Sequence, residues 1–377
     1  MTAILQRHDS AKSPVLYMAL ELSNRKWKLG FSNGAKERQS TIEAGDWSAL
    51  LEQISLAKEK FKLAVDCPVR SCYEAGRDGF WIHRALEEAG IDNQVIDSSS
   101  IEVNRRKRRT KTDSVDVKSL LRLLQRYWGG ERKVMSAVRV PTVAEEDQRR
   151  LSRERERLVK ERGAHSARLK SLLVAHGIRV EIKRDFVQRL AELKGGLGYE
   201  LGADLKAELR REYERYRLVN DQIKALEGEQ KLRCAEQEDE AIEQINRLML
   251  LKSVGWQSSW ILVMEFFAWR CFKNARQLGA CAGLTPTAYS SGDSEREQGI
   301  SKAGNRRIRS LMVELSWLWL RYQPDSALSQ WFERRYAQGG KRMRRIGIVA
   351  LARKLLIALW RYLVDGVMPE GARLKVT

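Results

Sequence analysis

Residues 15–34 read VLYMALELSNRKWKLGFSNG and carry the first clear structural signal in the chain. The apolar run at 15–22 has the length of one buried strand, and the run at 27–34 ends in the turn residues Asn33 and Gly34. Two such runs in close succession predict a β-hairpin at the start of the folded chain.

The segment after this hairpin alternates between strand-like and helix-like patterns. A β-like stretch lies within 63–75, a helical pattern covers 79–89, and NQVIDSS at 93–99 has the form of a buried strand. A further helix is predicted over 114–127. A hairpin followed by β–α repeats is typical of an α/β domain with a mixed sheet, which we place at residues 15–130.

Residues 142–240 have a different character, because charge density rises and proline is absent. Two series of side chains recur every seven residues, namely Leu151, Leu158, His165 and Leu172, and then Leu209, Tyr216 and Ile223 with Val219 and Leu226 interleaved. The second series is typical of a coiled-coil seam, whereas the first has no interleaved partner series. The segment is either two solvated helices packed on each other, or an antiparallel arm that dimerises or holds nucleic acid.

Residues 241–377 have the pattern of a helical domain. The stretch LLKSVGWQSSWILVMEF at 250–266 predicts two helices joined by a tight turn at Val254 and Gly255. A hairpin of this kind can offer backbone N–H groups to a phosphate, although many helical hairpins turn on a glycine for structural reasons alone.

The C-terminal stretch combines arginine, lysine and tryptophan. Basic residues can follow phosphates and aromatic rings can stack on bases, but tryptophans at helical spacing are more often part of a core, and we assign most of them there. The tryptophans are Trp317, Trp319, Trp331 and Trp360. The cations are Arg334, Arg335, Lys341, Arg342, Arg344, Arg345, Arg353 and Lys354.

Length and charge narrow the class of protein. A chain of 377 residues is long for one core and predicts two or three domains. Its 69 Lys and Arg exceed its 49 Asp and Glu by 20. This excess favours a polyanionic partner, and charge alone does not separate nucleic acid from an anionic membrane surface. No stretch approaches the ~18 apolar residues of a spanning helix, and no signal peptide precedes the hairpin, so we expect a cytoplasmic, nucleoid-associated protein without a membrane partner.

The few cysteines and histidines limit the metals that the chain could bind. Its five cysteines contain no CxxC pair, and its four histidines do not share metal-ligand spacing. A metal site in this chain would therefore be built from carboxylates, which favour a hard ion such as Mg²⁺.

Four carboxylates in the first domain stand out by their positions. Glu21 lies at the first strand, Glu74 follows the next β-like stretch, and Asp113 and Asp116 lie three residues apart at the start of a helix. If the sheet brings them together, their repulsion is tolerable only around cations, and a site for one or two Mg²⁺ ions follows. Helix capping is the alternative role for Asp113, so the metal site depends on all four residues.

Two groups of basic residues lie near these and other candidate residues. A charge run is usually a solvated loop, but beside a carboxylate cluster it would seat a phosphate backbone next to the metal. The first group, within NRRKRRTKTD at 104–113, consists of Arg105, Arg106, Lys107, Arg108, Arg109 and Lys111. The second group, in the last domain, consists of Lys302, Arg306, Arg307 and Arg309.

The second basic group follows YSSG at 289–292 and a polar segment that we expect to be flexible. A serine beside a glycine is common in loops. However, a hydroxyl that attacks a phosphodiester needs nearby positive charge to stabilise the transition state. It also needs activation, and since no histidine lies nearby in sequence, a metal held elsewhere would have to supply it.

Three of these stretches together resemble a known family. They are CYEAGRDGFWIHRAL at 72–86, RTKTDSVDVKSL at 109–120 and RQLGACAGLTPTAYSSGDSEREQGISKAGNRRIRSLM at 276–312. The chain resembles, over about residues 17–320, the DEDD-type transposases of insertion sequences, which are relatives of the Piv-like DNA invertases and are bridge-RNA-guided serine recombinases.

The resemblance implies a fold and a chemistry. The first domain would be RuvC-like, with an RNase H-type fold, followed by a long helical coiled-coil region and a helical transposase domain. An acidic tetrad would bind Mg²⁺, at Glu21, Glu74, Asp113 and Asp116. A serine would attack a DNA phosphate and form a covalent phosphoserine, at Ser291, the serine directly before Gly292.

The resemblance also implies partners. The family works on double-stranded donor and target DNA, as a dimer that assembles further, with a structured RNA that selects both DNAs by base pairing. This chain departs from the family at Glu21. The usual residue there is aspartate, whose side chain is one methylene shorter than that of glutamate. Ser290 stays open as an alternative nucleophile to Ser291.

Two other functions remain open at the level of sequence. The acidic tetrad alone could activate water, which would make the chain a hydrolytic junction nuclease with no covalent adduct. Alternatively, Glu21 could mark a decayed transposase that binds nucleic acid in a salt-sensitive manner without cleaving it.

Overall fold

A computed structural model of the protein describes residues 14–101, 113–236, 239–291 and 294–375. Its internal contacts divide the chain into two compact units, Met1–Pro141 and Thr142–Thr377. The charged region over 142–240 and the helical region from 241 onward therefore lie in the same unit.

The first unit is built on a five-stranded mixed sheet. Its strands are β1 (Leu16–Glu21), β2 (Lys26–Ser32), β3 (Glu37–Glu43), β4 (Val69–Glu74) and β5 (Asp92–Ile96). They are arranged in the order β3-β2-β1-β4-β5. The first three form antiparallel pairs, whereas β4 pairs parallel to β1 and to β5. The predicted hairpin and mixed sheet are confirmed.

Helices cover both faces of this sheet. They are α1 (Trp47–Lys60), α2 (Trp81–Glu88) and α3 (Asp113–Trp128). Because successive side chains of a strand point to opposite faces, Met18 of β1 packs in the core with α1 and α2, whereas Ala19 packs in the core with α3. The middle of β1 is thus buried on both sides, which explains its continuous apolar run.

The second unit consists of helices and one two-stranded hairpin. The helices are α4 (Val143–Asp147), α5 (Arg150–Val174), α6 (Phe186–Leu190), α7 (Ala203–Glu236), α8 (Glu240–Met249), α9 (Trp256–Leu262), α10 (Ala275–Cys281), α11 (Arg306–Tyr322), α12 (Ala327–Tyr336) and α13 (Lys341–Val364). A π-helical segment, Val263–Phe267, continues α9. The hairpin consists of β6 (Pro286–Ser291) and β7 (Ser294–Ile300). Among the described residues, no helix is long and apolar enough to cross a membrane.

Helices α5 and α7 pack on each other in opposite directions. Their bridging pairs are Arg155–Glu227, His165–Glu212 and Arg168–Glu208. Leu158, Val219 and Ile223 are buried along the contact. Within one chain the two heptad series therefore belong to a helix pair, and its predicted role in dimerisation stays a prediction.

Helices α8, α9, α10, α11 and α13 contribute to one large core, which contains Trp260, Phe266, Trp319 and Leu355. Helix α6 instead packs against α5 and α7. The indole nitrogen of Trp319 donates to Ser326 Oγ at 2.8 Å. Trp331 and Trp360 are half-buried against apolar clusters, while Trp317 is 44% exposed. Our assignment of most of these tryptophans to the core is confirmed.

Two local expectations differ from the structure. The tight turn before α9 is present, but the positive φ of 95° falls on Ser253, and Gly255 is the extended N-cap of α9. The polar segment after Ser291, expected to be flexible, forms strand β7 from Ser294 onward. Glu295 lies opposite Ser290 and Arg296 lies opposite Tyr289, so this polar strand is ordered by backbone pairing across the hairpin and not by an apolar run.

Candidate active site

Glu21 and Glu74 lie at one edge of the sheet in the first unit. They are the last residues of the parallel neighbours β1 and β4, and the register that pairs Leu20 with Tyr73 makes them the next pair along. Glu21 is half-buried and Glu74 is exposed. The fold thus brings two residues far apart in sequence to adjacent positions on the same sheet face.

Helix α3 crosses this face antiparallel to β1. Near its C-terminal end, Gln125 Nε2 donates to Ser32 Oγ at 2.7 Å, and Ser32 is opposite the start of β1. Nearer its N-terminal end, Val117 packs against Gly30, at mid-strand. A Cβ on Gly30 would lie 2.8 Å from Val117 Cγ1, so this close approach requires glycine.

This orientation places the start of α3 at the edge that holds the two glutamates. Asp113 is the first residue of α3, and Asp116 lies one turn further, beside Val117. The backbone positions of all four predicted acidic residues therefore lie toward the end of the sheet at which β1 and β4 finish. The side chain of Asp113 lies outside the described part of the chain.

The donor set suits a hard cation, because carboxylate oxygens are the ligands that Mg²⁺ prefers. Glu21, Glu74 and Asp116 do not come together as a group able to hold a metal ion, nor do any three described His, Cys, Asp or Glu side chains. The basic residues from Arg105 to Lys111 lie outside the described residues.

The predicted nucleophile lies at the closed end of the hairpin in the second unit. Ser291 ends β6 and pairs with Ser294, which begins β7, while Ser290 pairs with Glu295. The side chains of both serines, and all of Gly292, lie outside the described part. At the open end of the hairpin, Thr287 Oγ1 donates to the carbonyl of Gly299 at 3.1 Å.

Two glycines that the sequence analysis did not single out fix the base of this hairpin. Gly283 (φ +67°) and Gly304 (φ +104°) adopt left-handed backbone conformations. A Cβ on Gly283 would overlap the carbonyl of Ala303, and one on Gly304 would overlap that of Cys281. Both positions lie in the quoted stretch at 276–312, and the signal that could have found them is a glycine just before and just after the hairpin.

Comparison with known proteins shows where this chain belongs. Residues 245–332 match the sequence profile described as "Transposase IS116/IS110/IS902 family". Over 96% of its length the chain is 41% identical to y4rJ of Sinorhizobium fredii (strain NBRC 101917 / NGR234), which bears a transposase name, and the alignment covers 94% of that protein. The chain belongs to the IS116/IS110/IS902 family of transposases.

More distant relatives agree. The chain is 28% identical to the transposase for insertion sequence element IS1111A of Coxiella burnetii (strain RSA 493 / Nine Mile phase I), over 80% of this chain and 78% of that one. It is also 28% identical to the transposase for insertion sequence element IS1328 of Yersinia enterocolitica, over 59% of this chain and 65% of that one. The reaction to be explained is therefore DNA transposition, and the partner is DNA.

The predicted cations of the transposase divide into two kinds. Lys302 and Arg306 are exposed and form no ion pair within the described residues. Arg307 pairs with Glu156 of α5 at 2.5 Å, and half-buried Arg309 donates to the carbonyl of Ala282 at 3.3 Å. Arg307 and Arg309 therefore attach the start of α11 to α5 and to the end of α10.

The same contacts set the charge of Glu156. Burial alone would raise its pKa, but hydrogen bonds from Lys160 and Arg307 outweigh burial and hold the pKa below its ordinary value. Glu156 therefore stays ionised and anchors Arg307 at neutral pH.

The π-helical segment of the transposase holds a buried carboxylate that the sequence did not reveal. Glu265, only 1% exposed, accepts from Arg153 Nε at 2.5 Å and from Nη2 at 3.0 Å. The hydrogen bond that Arg153 donates to Glu265 is the main reason that the pKa of Arg153 lies above its ordinary value. Arg149 lies over the ring of Trp269 at 4.6 Å beside this pair, and its pKa is lowered by burial. Arg153 lies in a charged heptad region, where sequence alone indicates a solvated residue.

Proposed function

We propose that this transposase cuts and rejoins DNA through a covalent phosphoserine on Ser291, assisted by Mg²⁺ at an acidic site. The ligands would be Glu21, Glu74, Asp113 and Asp116. The observation that supports the proposal is that these four positions, from three elements, lie toward the same end of the sheet, where the carboxyl ends of β1 and β4 are neighbours.

The topology around the site supports a RuvC-like, RNase H-type assignment of the first unit. An antiparallel hairpin is followed by parallel strands on one side of β1, and the acidic positions lie at strand ends, where the carboxyl edge is open to ligands. Glu21 is one methylene longer than aspartate but supplies the same carboxylate oxygens. Bound Mg²⁺ would neutralise negative charge on the phosphate and on the reacting oxygens.

Ser291 would carry out the transfer itself. Its Oγ forms a bond to phosphorus as the bond from phosphorus to a deoxyribose oxygen breaks, the serine hydroxyl loses its proton, and the departing oxygen gains one. A deoxyribose hydroxyl of another strand then attacks the phosphoserine and restores the serine. The number of phosphate ester bonds stays constant, so rejoining needs no other energy source.

Lys302 and Arg306 are candidates for binding the DNA backbone, since both are exposed with no ion pair among the described residues. They follow the open end of the hairpin, whereas Ser291 lies at its closed end, about 16 Å away along the strands. We therefore assign them to DNA phosphates that flank the attacked one, with Arg307 and Arg309 in supporting positions.

The proposal extends to a guide RNA and to assembly. A structured RNA would select donor and target DNA by base pairing, which rests on the resemblance of the three quoted stretches to RNA-guided recombinases. A dimer, which could assemble into a tetramer, would use the α5–α7 pair, whose outer side exposes Leu218 and Leu232 at 61% and 55%. Sequencing of RNA that copurifies with the transposase, and light scattering of the complex, test these two points.

The experiment for the acidic site is an excision assay in cells that carry the gene with its native flanks. Circular junctions are quantified by PCR for wild type, Glu21→Gln, Glu74→Gln, Asp113→Asn and Asp116→Asn. Glu52→Gln, an exposed change on α1, is the matched control. We expect each of the four variants to lose junctions by at least about a hundredfold, because each removes one charged ligand.

Other outcomes would argue against the proposal. Retained excision in two or more of the four variants, at equal protein levels, would contradict a tetrad. Loss of excision in Glu52→Gln as well would show that the assay reports folding of the first unit and not its acidic edge.

A further inference from the structure

Six cations lie at the junction between α12 and α13, which we call the α12–α13 corner. All six are exposed, and none forms an ion pair within the described part of the chain. Glu333 of α12 is the acidic residue next to them in sequence. The six are Arg334, Arg335, Lys341, Arg342, Arg344 and Arg345.

The start of α13 projects from the second unit. Residues 341–346 are all exposed, including Met343 at 45% and Ile346 at 46%. Packing begins at Gly347, where a Cβ would lie 2.8 Å from Phe332 and 2.5 Å from Tyr336 of α12. The first turn and a half of α13 therefore precedes the crossing of the two helices and presents its cations to solvent.

The charge of this projecting turn is unfavourable for the helix itself. Cations near a helix N-terminus face the positive end of the helix dipole and are destabilising, whereas acidic residues there are stabilising. The first turn of α13 contains no acidic residue, and Gly340 gives it no side-chain cap. In contrast, α8 begins with a capping Asp239 and the acidic residues Glu240 and Glu243. Stability does not explain the sequence of this turn, and a polyanionic partner does.

We propose that the α12–α13 corner binds the phosphate backbone of duplex DNA, as a contact additional to the acidic edge and the serine hairpin. Arginine, which supplies five of the six cations, pairs with phosphate in a bidentate manner. The aromatic rings at the corner are already packed, since Trp331 and Tyr336 are in edge contact at 5.5 Å and Lys354 lies over Trp331 at 4.7 Å. No described ring of the corner is free to stack on a base, which favours a duplex over a single strand.

The inference rests on membership of a transposase family and not on the phosphoserine mechanism. The test is therefore binding without cleavage, by the full chain with EDTA present, to a 40-base-pair DNA duplex. The triple variant Arg342→Ala, Arg344→Ala, Arg345→Ala is compared with wild type over a range of salt concentrations. The matched control removes three exposed cations of the first unit, by Arg25→Ala, Lys36→Ala and Lys60→Ala.

We expect the corner variant to bind at least about tenfold more weakly near 0.1 M salt. Its slope of log affinity against log salt should be smaller by about 2 to 3, because each lost phosphate contact releases about one counterion fewer. The variant Arg342→Lys, Arg344→Lys, Arg345→Lys should retain most of the slope. The corner variant should unfold at the same or a higher temperature, since the charges oppose the helix dipole.

Two results would overturn the inference. Equal affinity and slope in the corner variant and in the matched control would show that the corner does not touch DNA. A loss of binding to a structured RNA of similar length, with duplex DNA binding unchanged, would assign the corner to RNA instead.

Discussion

The ion pair between Arg153 and Glu265 links a helix of high charge to an apolar core. The Glu265 side chain is 1% exposed, whereas the Arg153 side chain is 43% exposed. Arg153 is therefore the partly exposed cation that pairs with a carboxylate buried from water. A buried charge without a partner is costly, and this makes Arg153 a positioning residue for the segment that continues α9.

We expect Arg153→Ala to lower the free energy of unfolding by about 2 to 3 kcal/mol, because Glu265 would be left buried without a partner. Arg157→Ala, one turn further along α5, breaks an exposed pair with Glu161 and should cost less than about 0.5 kcal/mol. Urea denaturation at neutral pH measures both. Equal losses of unfolding free energy in the two variants would show that Arg153 does not stabilise the buried Glu265.

Glu212 gives the α5–α7 contact a dependence on pH. Burial by itself would raise its pKa, but hydrogen bonds from His165 and Arg215 outweigh burial and hold the pKa below its ordinary value of 4.5. A depressed pKa in the folded state stabilises the protein above the unfolded pKa, and this contribution disappears as pH falls through the folded pKa.

We therefore expect the urea midpoint of the wild type to fall as pH drops below about 4.5, and to fall less steeply in Glu212→Gln. The difference between the two chains isolates Glu212 from the other carboxylates. Glu214→Gln, an exposed neighbour on α7, is the control. Parallel pH profiles for wild type and Glu212→Gln would refute the assignment.

At the scale of elements, the packing of α3 on the sheet determines where the acidic positions lie. Gly30 allows Val117 to approach β2, and α3 carries Asp113 and Asp116 from that contact to the edge beside Glu21. A small residue in a strand thus controls the position of two predicted ligands.

We expect Gly30→Ala to destabilise the first unit by about 1 to 3 kcal/mol, since the added methyl overlaps Val117 Cγ1. Val117→Ala removes that methyl, so the double variant should be more stable than the sum of the single changes by about 1 kcal/mol or more. Gly163→Ala in α5, where a Cβ meets open space, should be neutral or stabilising. Thermal unfolding measures all four variants. If the changes in stability from Gly30→Ala and Val117→Ala simply add in the double variant, the contact between the two residues is contradicted.

The sequence predicted elements that have their own apolar pattern. The hairpin of β1 and β2, the parallel strands β4 and β5 and the helix α3 were expected near their observed bounds. Strand β3 was not, because ERQSTIE contains a single apolar residue, Ile42, and its order comes from pairing with β2. Helix α1 was also missed, although Asp46 caps it and Leu50, Ile54 and Ala57 form its buried face.

The candidate site was predictable in its residue types and not in its geometry. A carboxylate at the end of β4 and a serine before a glycine can be read from the chain. The neighbour relation of Glu21 and Glu74 depends on strand order, and the closed end of the hairpin at Ser291 depends on pairing with a polar strand. Tertiary contacts such as Arg153–Glu265 join residues 112 positions apart, which no local pattern encodes.

At the scale of the whole molecule, the two compact units carry different parts of the proposed chemistry. The first holds the acidic edge, and the second holds the serine hairpin and the α12–α13 corner. The net charge of +20 is consistent with a protein that must hold several DNA segments while strands are exchanged. A covalent intermediate would keep a cut end attached during that exchange.

The most direct test of this account is the detection of that intermediate. DNA from cells that express the transposase with its native flanks is isolated without protease, resolved on a denaturing gel and analysed by mass spectrometry for a nucleotide on a peptide. We predict a covalent adduct on Ser291 in the wild type and in Ser290→Ala, and no adduct in Ser291→Ala. Cleavage that persists in Ser291→Ala with no adduct in any of the three chains would contradict the account and leave the acidic edge as a hydrolytic nuclease.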